Sequence, residues 1–482
     1  MVFMASIDKT SVRNEVARLK TDFEQLCSND KVSAEIKVLM GSMFMIIELI
    51  LSIFLEKATK KDNKNSSKPS SQTEKDESAL ALQGSHGKGK PENNTIANNT
   101  RVNETVTVSK VWLCDICGED LETIPCSHHE RRTKIDIVFE KVVEHVDAEV
   151  KQCPTCEATV KGQFPSNLYG PLQYGDGLKA FVVNLLVCQM VAMNRVQKLV
   201  KSMIGVVIAE ASLLKFILRL YQALEKWELN ATEQLLKALS INVDETSLLV
   251  DKKNHWIHVY SAGDITLKRL HRRRGMDAID SINIIPRYGG TIIHDCWSSY
   301  FSYQNVGHGL CGSHLLRELT FIIDANDYAW AANIKRLLQE TCINVSKNEE
   351  KKLTDKAYAD LQKRYRNCLT RGDKELPPIP PKPSGKRGKI AKSDAHNLWE
   401  RLNKHEASVL LFAKEPHVSF TNNRAERDLR MAKVKQKVSG CFRTELYAHA
   451  YCRISSYIQT MANKGYNPLI AIQMALANEI AL

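Results

Sequence analysis

Cysteine, acidic residues and unbroken apolar sequence are all in short supply here. Thirteen cysteines spread over 482 residues, an odd number with no secretory leader ahead of them, exclude a disulfide-scaffolded secreted framework. The expectation is a reduced, cytoplasmic chain with a metal site. Acidic residues number 55 against 67 Lys and Arg, a formal charge of +12. Such an excess favours a polyanionic partner, of which nucleic acid is the commonest, although a basic soluble protein without one stays open. The run that comes nearest to membrane length is Val38 to Leu55 (VLMGSMFMIIELILSIFL), interrupted by Glu48. A lone charge in a bilayer is costly, so a buried or self-associating helix is expected and a membrane span is not.

Residues 8–58 contain few helix breakers, and Val12, Val16, Leu19, Phe23 and Leu26 recur at helical spacing. The pattern fits a helix that pairs with a second copy or folds back on its own chain. From about Lys60 to Val106 large apolar residues nearly vanish, which predicts a flexible linker. Two apolar helical runs follow, Leu178 to Val200 and Val206 to Leu224, joined near Gly205. Asn194 to Leu218 fits a helix-turn-helix, but any helical hairpin has this form.

Strand periodicity begins at Ser240. Ile241 to Val243 leads into Asp244, and Ser247 to Val250 forms a second short run. His255 to Tyr260 alternates after a polar turn, Ile265 to Leu270 follows, and Gly290 to His294 is a buried-type strand ending at Asp295. With a helix near Met276 to Ile284, the order predicts a mixed sheet flanked by helices, an α/β fold. Leu315 to Gln339 and Glu349 to Cys368 read as helices; Leu376 to Lys392 is a Pro-rich basic break. Helices resume at Ala395 to Phe412, Glu426 to Lys437 and Leu446 to Asn463.

Two chemistries stand out. Cys114-Asp115-Ile116-Cys117 and Cys153-Pro154-Thr155-Cys156 are paired C-x-x-C knuckles, the form that supplies four thiolates to one structural zinc ion. Cys126, His128 and His129 lie between them as alternative ligands or spare polar residues. Asp244, Asp295 and Glu426 form a candidate carboxylate set for divalent ions in phosphoryl transfer, with Glu245 and Asp264 competing for membership. Glu426 opens a helix on which Arg430, Lys433 and Lys437 share its face, a surface suited to a phosphodiester backbone. Arg427, Lys435, Lys386 and Arg387 are further DNA-binding candidates. Cys311 and His314, with His308, form a Cys-x-x-His cluster whose second half is not apparent, and it reads as packing or substrate positioning.

From the linker onward the chain resembles the IS66 family of bacterial insertion-sequence transposases. The resemblance is carried by Asn65 to Ser71 (NSSKPSS), the two knuckles and Tyr169-Gly170. More specific are Val243 to Thr246 (VDET), Ile293 to Tyr300 (IHDCWSSY), Cys311 to Leu319 (CGSHLLREL) and Asn422 to Arg427 (NNRAER), continuing into KQKVSGCFR. It implies a ribonuclease-H-like catalytic core holding two magnesium ions on Asp244, Asp295 and Glu426. Asp244 would bridge the ions while Asp295 and Glu426 complete their shells. The implied reaction is cleavage of element ends and joining to target double-stranded DNA. The expected layout is a helical region over 1–59, a linker over 60–110 and a zinc-binding domain over 111–162. A helical DNA-binding region over 163–239 and a catalytic domain over 240–482 with a helical insertion at about 315–395 complete it. The expected partners are DNA, further copies of the chain and accessory proteins of the same element. A catalytically inactive DNA-binding regulator and a nuclease without strand transfer are the competing readings.

Overall fold

The computed structural model describes residues 9–28, 33, 36–37, 39–47, 106–135, 137, 139–168, 170–379 and 392–479. The expected linker almost entirely, the NSSKPSS segment, Tyr169, Lys386, Arg387 and half of the Val38–Leu55 run lie outside these residues. The chain divides into two compact units, one of Met1–Gly87 with Lys226–Gln459, the other of Lys88–Glu225 with Thr460–Leu482.

In the second unit both knuckles are tight turns: Gly118 N–H donates to the Cys114 carbonyl and Glu157 N–H to that of Cys153, each at 2.9 Å. The second knuckle lies between the paired antiparallel strands β1 (Val150–Gln152) and β2 (Thr159–Lys161). Apolar side chains around the knuckles are exposed, among them Trp112, Ile116 and Ile135. The first expected helical run is not continuous. An α-helix at Asp176–Val183 passes into a π-helical turn at Asn184–Cys188, and Met190 takes a left-handed backbone before the helix Met193–Ile204. Gly205 (φ 68°) caps that helix and the chain re-enters a helix at Glu210–Ala223, so the turn expected near Gly205 is present. Pro468–Leu476 packs against the Asp176–Val183 and Glu210–Ala223 helices.

The first unit is built on a five-stranded mixed sheet, order β5-β4-β3-β6-β7. Its strands are β3 (Ser240–Val250), β4 (Lys253–Ala262), β5 (Ile265–His271), β6 (Thr291–His294) and β7 (Gly307–Leu310). β3, β4 and β5 form antiparallel hairpins; β6 and β7 continue the sheet in parallel. The β3–β4 turn is the residue pair Asp251-Lys252, both with positive φ (48° and 58°), the conformation whose twist suits a two-residue hairpin. β3 is one strand of eleven residues, not two short runs, so Asp244 stands in its middle rather than at an end.

Alternate residues of a strand face opposite sides. Ile292 therefore joins a core with Ile241, Val243, Tyr260, Leu267 and Ile279. Ile293 joins a second core with Leu315, Leu319, Trp330, Tyr365 and Leu410, supplied by the helical insertion. Both faces of the sheet are thus covered. The insertion runs through helices Gly312–Asn326, Ala329–Lys347, Asp355–Glu375, Asp394–Lys404 and Glu406–Lys414. After it, the helix Asn423–Ser439 packs on β3, and Glu445–Asn463 follows. At the N-terminus, the Phe23 ring of the helix Lys9–Ser28 lies 5.9 Å from Phe44, so the described residues there fold back on their own chain.

Candidate active site

Parallel pairing of β3 with β6 sets Asn242 opposite Ile293. Two residues further along each strand direction stand Asp244 and Asp295, so the register brings these carboxylates to neighbouring positions. Asp295 lies just past the end of β6, where its Oδ1 accepts the Trp297 N–H at 3.1 Å.

Glu426 reaches the same place through its helix. Asn422, fully buried at the helix N-terminus, donates from Nδ2 to the Val243 carbonyl at 2.8 Å and accepts on Oδ1 from Asn242 Nδ2 at 2.9 Å. Its backbone N–H points to the Cys311 sulfur at 3.1 Å. Gly312 N–H donates to the Phe420 carbonyl at 2.7 Å. These bonds pin the start of the Asn423–Ser439 helix to β3 on one side and to the Gly312–Asn326 helix on the other. Glu426, one turn in, is held between them.

The three acids feel one another's charge, although among the described residues their ligand oxygens do not all lie within 4.8 Å of one another. Burial pushes Asp244 well above the ordinary carboxylate range, and the charges of Glu245, Asp295 and Glu426 add to the shift. Asp295 is raised, chiefly by burial, against the opposing pull of Arg274. Glu426 is raised by burial and by Asp295, against Arg317 and Arg430. Its Oε1 is buried without a hydrogen-bond donor; His314 Nδ1 stands 3.5 Å away and Arg317 Nη2 3.8 Å. Carboxylates that repel one another and keep an unsatisfied oxygen suit a hard divalent cation such as magnesium, which takes oxygen ligands.

The competing acids separate by position. Glu245 points to the opposite face of β3, where burial and Asp295 raise it to about 7. There it accepts from Arg274 Nε and from the Tyr300 hydroxyl, each at 2.6 Å. Arg274 is itself stacked 5.1 Å from the Trp256 ring and 4.3 Å from the Trp297 ring. Asp264 sits exposed in the β4–β5 turn.

The chain belongs to the IS66 transposase family. The profile of that family matches residues 171–450, more than half of the chain, spanning Asp244, Asp295 and Glu426 and leaving the knuckles outside. No curated protein matches it. In this family member the basic candidates divide. Arg427, Arg430 and Lys437 are exposed, whereas Lys433 donates to the Ser247 carbonyl at 2.5 Å and Lys435 is partly buried, so both amines are pulled below their usual range by burial. Backbone N–H groups within each knuckle, Cys117 first for Cys114 and Cys156 first for Cys153, lower those two thiols. Among the described residues, no three ligand atoms from the two knuckles lie within 4.8 Å of one another. No helix there is long and apolar enough to cross a membrane.

Sequence reasoning missed the roles of Asn422, Arg274 and Arg317. Asn422 was visible as the polar residue before a helix. Its bonds to β3 depend on a strand some 180 positions away, and no local pattern carries that.

Proposed function

We propose that this chain is a DNA transposase in which Asp244, Asp295 and Glu426 hold two magnesium ions for cleavage of element ends and their joining to target DNA. The observation that supports the reading is the β3–β6 register, which makes Asp244 and Asp295 neighbours, together with the Asn422 bonds that tie the start of the Glu426 helix to β3. The strand order, three antiparallel followed by two parallel, supports a ribonuclease-H-like core with a helical insertion. Paired divalent ions would activate the attacking oxygen and stabilise the leaving oxygen of an in-line displacement. Asp244, mid-strand beside Asp295, would be shared between the ions, and Asp295 and Glu426 would complete their ligands. Arg274 and Arg317 balance the acidic charge, and the exposed Arg427, Arg430 and Lys437 offer cations to the DNA backbone. Phosphoryl transfer asks mainly for such positioning and charge.

The two knuckles would supply four thiolates to one structural zinc ion on drawing together; little apolar surface is buried around them, and the metal would supply the missing stability. We assign 111–162 to that domain, 163–239 to a helical DNA-binding region and 240–482 to catalysis. Joining requires two DNA ends to be held together, so the working form is taken to contain several copies on DNA, with or without proteins encoded by the same element.

Labelled element ends incubated with magnesium test this. Cleavage followed by strand transfer is expected, and Asp295→Asn should slow both by roughly a thousandfold or more. Binding alone would mean a regulator, and cleavage without joining a nuclease. Unchanged cleavage by Asp295→Asn would remove it from the set.

A further inference from the structure

The Cys-x-x-His cluster has a second half that the sequence does not reveal. Cys311 Sγ, a ring nitrogen of His314 and a carboxylate oxygen of Glu426 all lie within 4.8 Å of one another, the one such trio among the described residues. Two of these atoms lack hydrogen-bond partners: His314 Nδ1 and Glu426 Oε1 are both buried and face each other at 3.5 Å. A buried polar atom left unpaired is costly, so a facing pair of them calls for a shared partner. An imidazole nitrogen, a carboxylate oxygen and a thiol sulfur converging on one point are a ligand set.

We propose that Cys311, His314 and Glu426 form a binding site for a divalent transition-metal ion of zinc-like preference, separate in ligand chemistry from the all-carboxylate magnesium positions. Sulfur and imidazole select softer ions than magnesium. Three protein ligands leave a fourth tetrahedral position open, as in reactive rather than structural zinc sites, and that position can take water or a phosphate oxygen. Binding displaces the Cys311 thiol proton to solvent. The scaffold is already rigid. Cys311 precedes the Gly312–Asn326 helix, His314 lies in its first turn, and Gly312 abuts the Phe420 ring so closely that an added Cβ would stand 2.2 Å from it. The Asn422 N–H directed at the sulfur fixes the third side. The ion would share Glu426 with the proposed catalytic carboxylates, tying the last acid of the set to a soft-metal anchor.

Cobalt(II) is the probe, because thiolate ligation gives it a charge-transfer absorption that oxygen ligation does not. In the full chain carrying Cys114→Ser, Cys117→Ser, Cys153→Ser and Cys156→Ser, added cobalt should produce a band from a single thiolate. Zinc should abolish that band and excess magnesium should not. Cys311→Ser should eliminate it and His314→Gln should weaken cobalt binding at least tenfold. In the otherwise unaltered chain, Cys311→Ser should lower the band by one thiolate's share, which covers the case where the fourfold variant does not fold. A band that never forms, or survives Cys311→Ser in both backgrounds, overturns the site. The DNA assay fails independently. A chain that binds cobalt through Cys311 but cuts no element ends loses the transposase reading and keeps this site.

Discussion

At the scale of single residues, Asn422 ties the helix that carries Glu426 to the strand that carries Asp244. Its side chain replaces water with two hydrogen bonds to β3. Asn422→Ala should destabilise the chain by about 2 kcal/mol in urea unfolding, since it leaves a buried carbonyl and an amide unpaired. It should also reduce DNA cleavage while Asp244 and Asp295 remain in place. Unchanged stability would show that the helix start is held by other contacts. The family was legible in the sequence because the three acids sit in long, ordered motifs. Asn422, Arg274 and Arg317 were not, because their partners are remote in the chain: Glu245 for Arg274 and Glu426 for Arg317.

At the scale of elements, the misreadings have local physical causes. β3 looked like two runs because Asp244 and Glu245 interrupt the apolar alternation, yet each acid has a use on its own face of the sheet. β7 was invisible because its four residues, Gly-His-Gly-Leu, carry one apolar side chain. Its glycines are dictated by neighbours, since a Cβ on Gly309 would stand 2.9 Å from Val418 and one on Gly307 2.8 Å from Thr291. The insertion's helices were mostly anticipated from periodicity, but their crossings were not. Gly372 lies in the last turn of Asp355–Glu375, and within a helix alanine ordinarily gains up to about 1 kcal/mol over glycine. Here its Cβ would meet the Trp399 ring at 2.7 Å and Trp330 at 3.0 Å. Gly372→Ala is therefore expected to destabilise by about 1–3 kcal/mol in thermal or urea unfolding, through overpacking. A stabilised variant would show that the two tryptophans yield easily.

At the scale of the whole molecule, the acidic centre makes stability depend on pH and metal together. Asp244, Asp295, Glu426 and Glu245 are all raised in the folded chain, Glu245 to about 7. A carboxyl raised by folding contributes stability that is complete below its unfolded value, about 4, and is lost as pH climbs through the folded value. Without divalent ions, the melting temperature should therefore fall between about pH 5 and about pH 8. Magnesium should restore it most at the upper end, where the acids are charged. Asp244→Asn should flatten the metal-free slope and stabilise the metal-free chain at the upper end of the range. A metal-free melting temperature that rises over this range, or a slope untouched by Asp244→Asn, would show that the acids do not strain one another.

The most direct test is to locate the ions. Crystals of the chain bound to a DNA end and soaked in manganese should give two anomalous peaks bridged by Asp244, one completed by Asp295 and the other by Glu426. Manganese absent from between these residues, with DNA bound and the three carboxylates apart, would contradict the account.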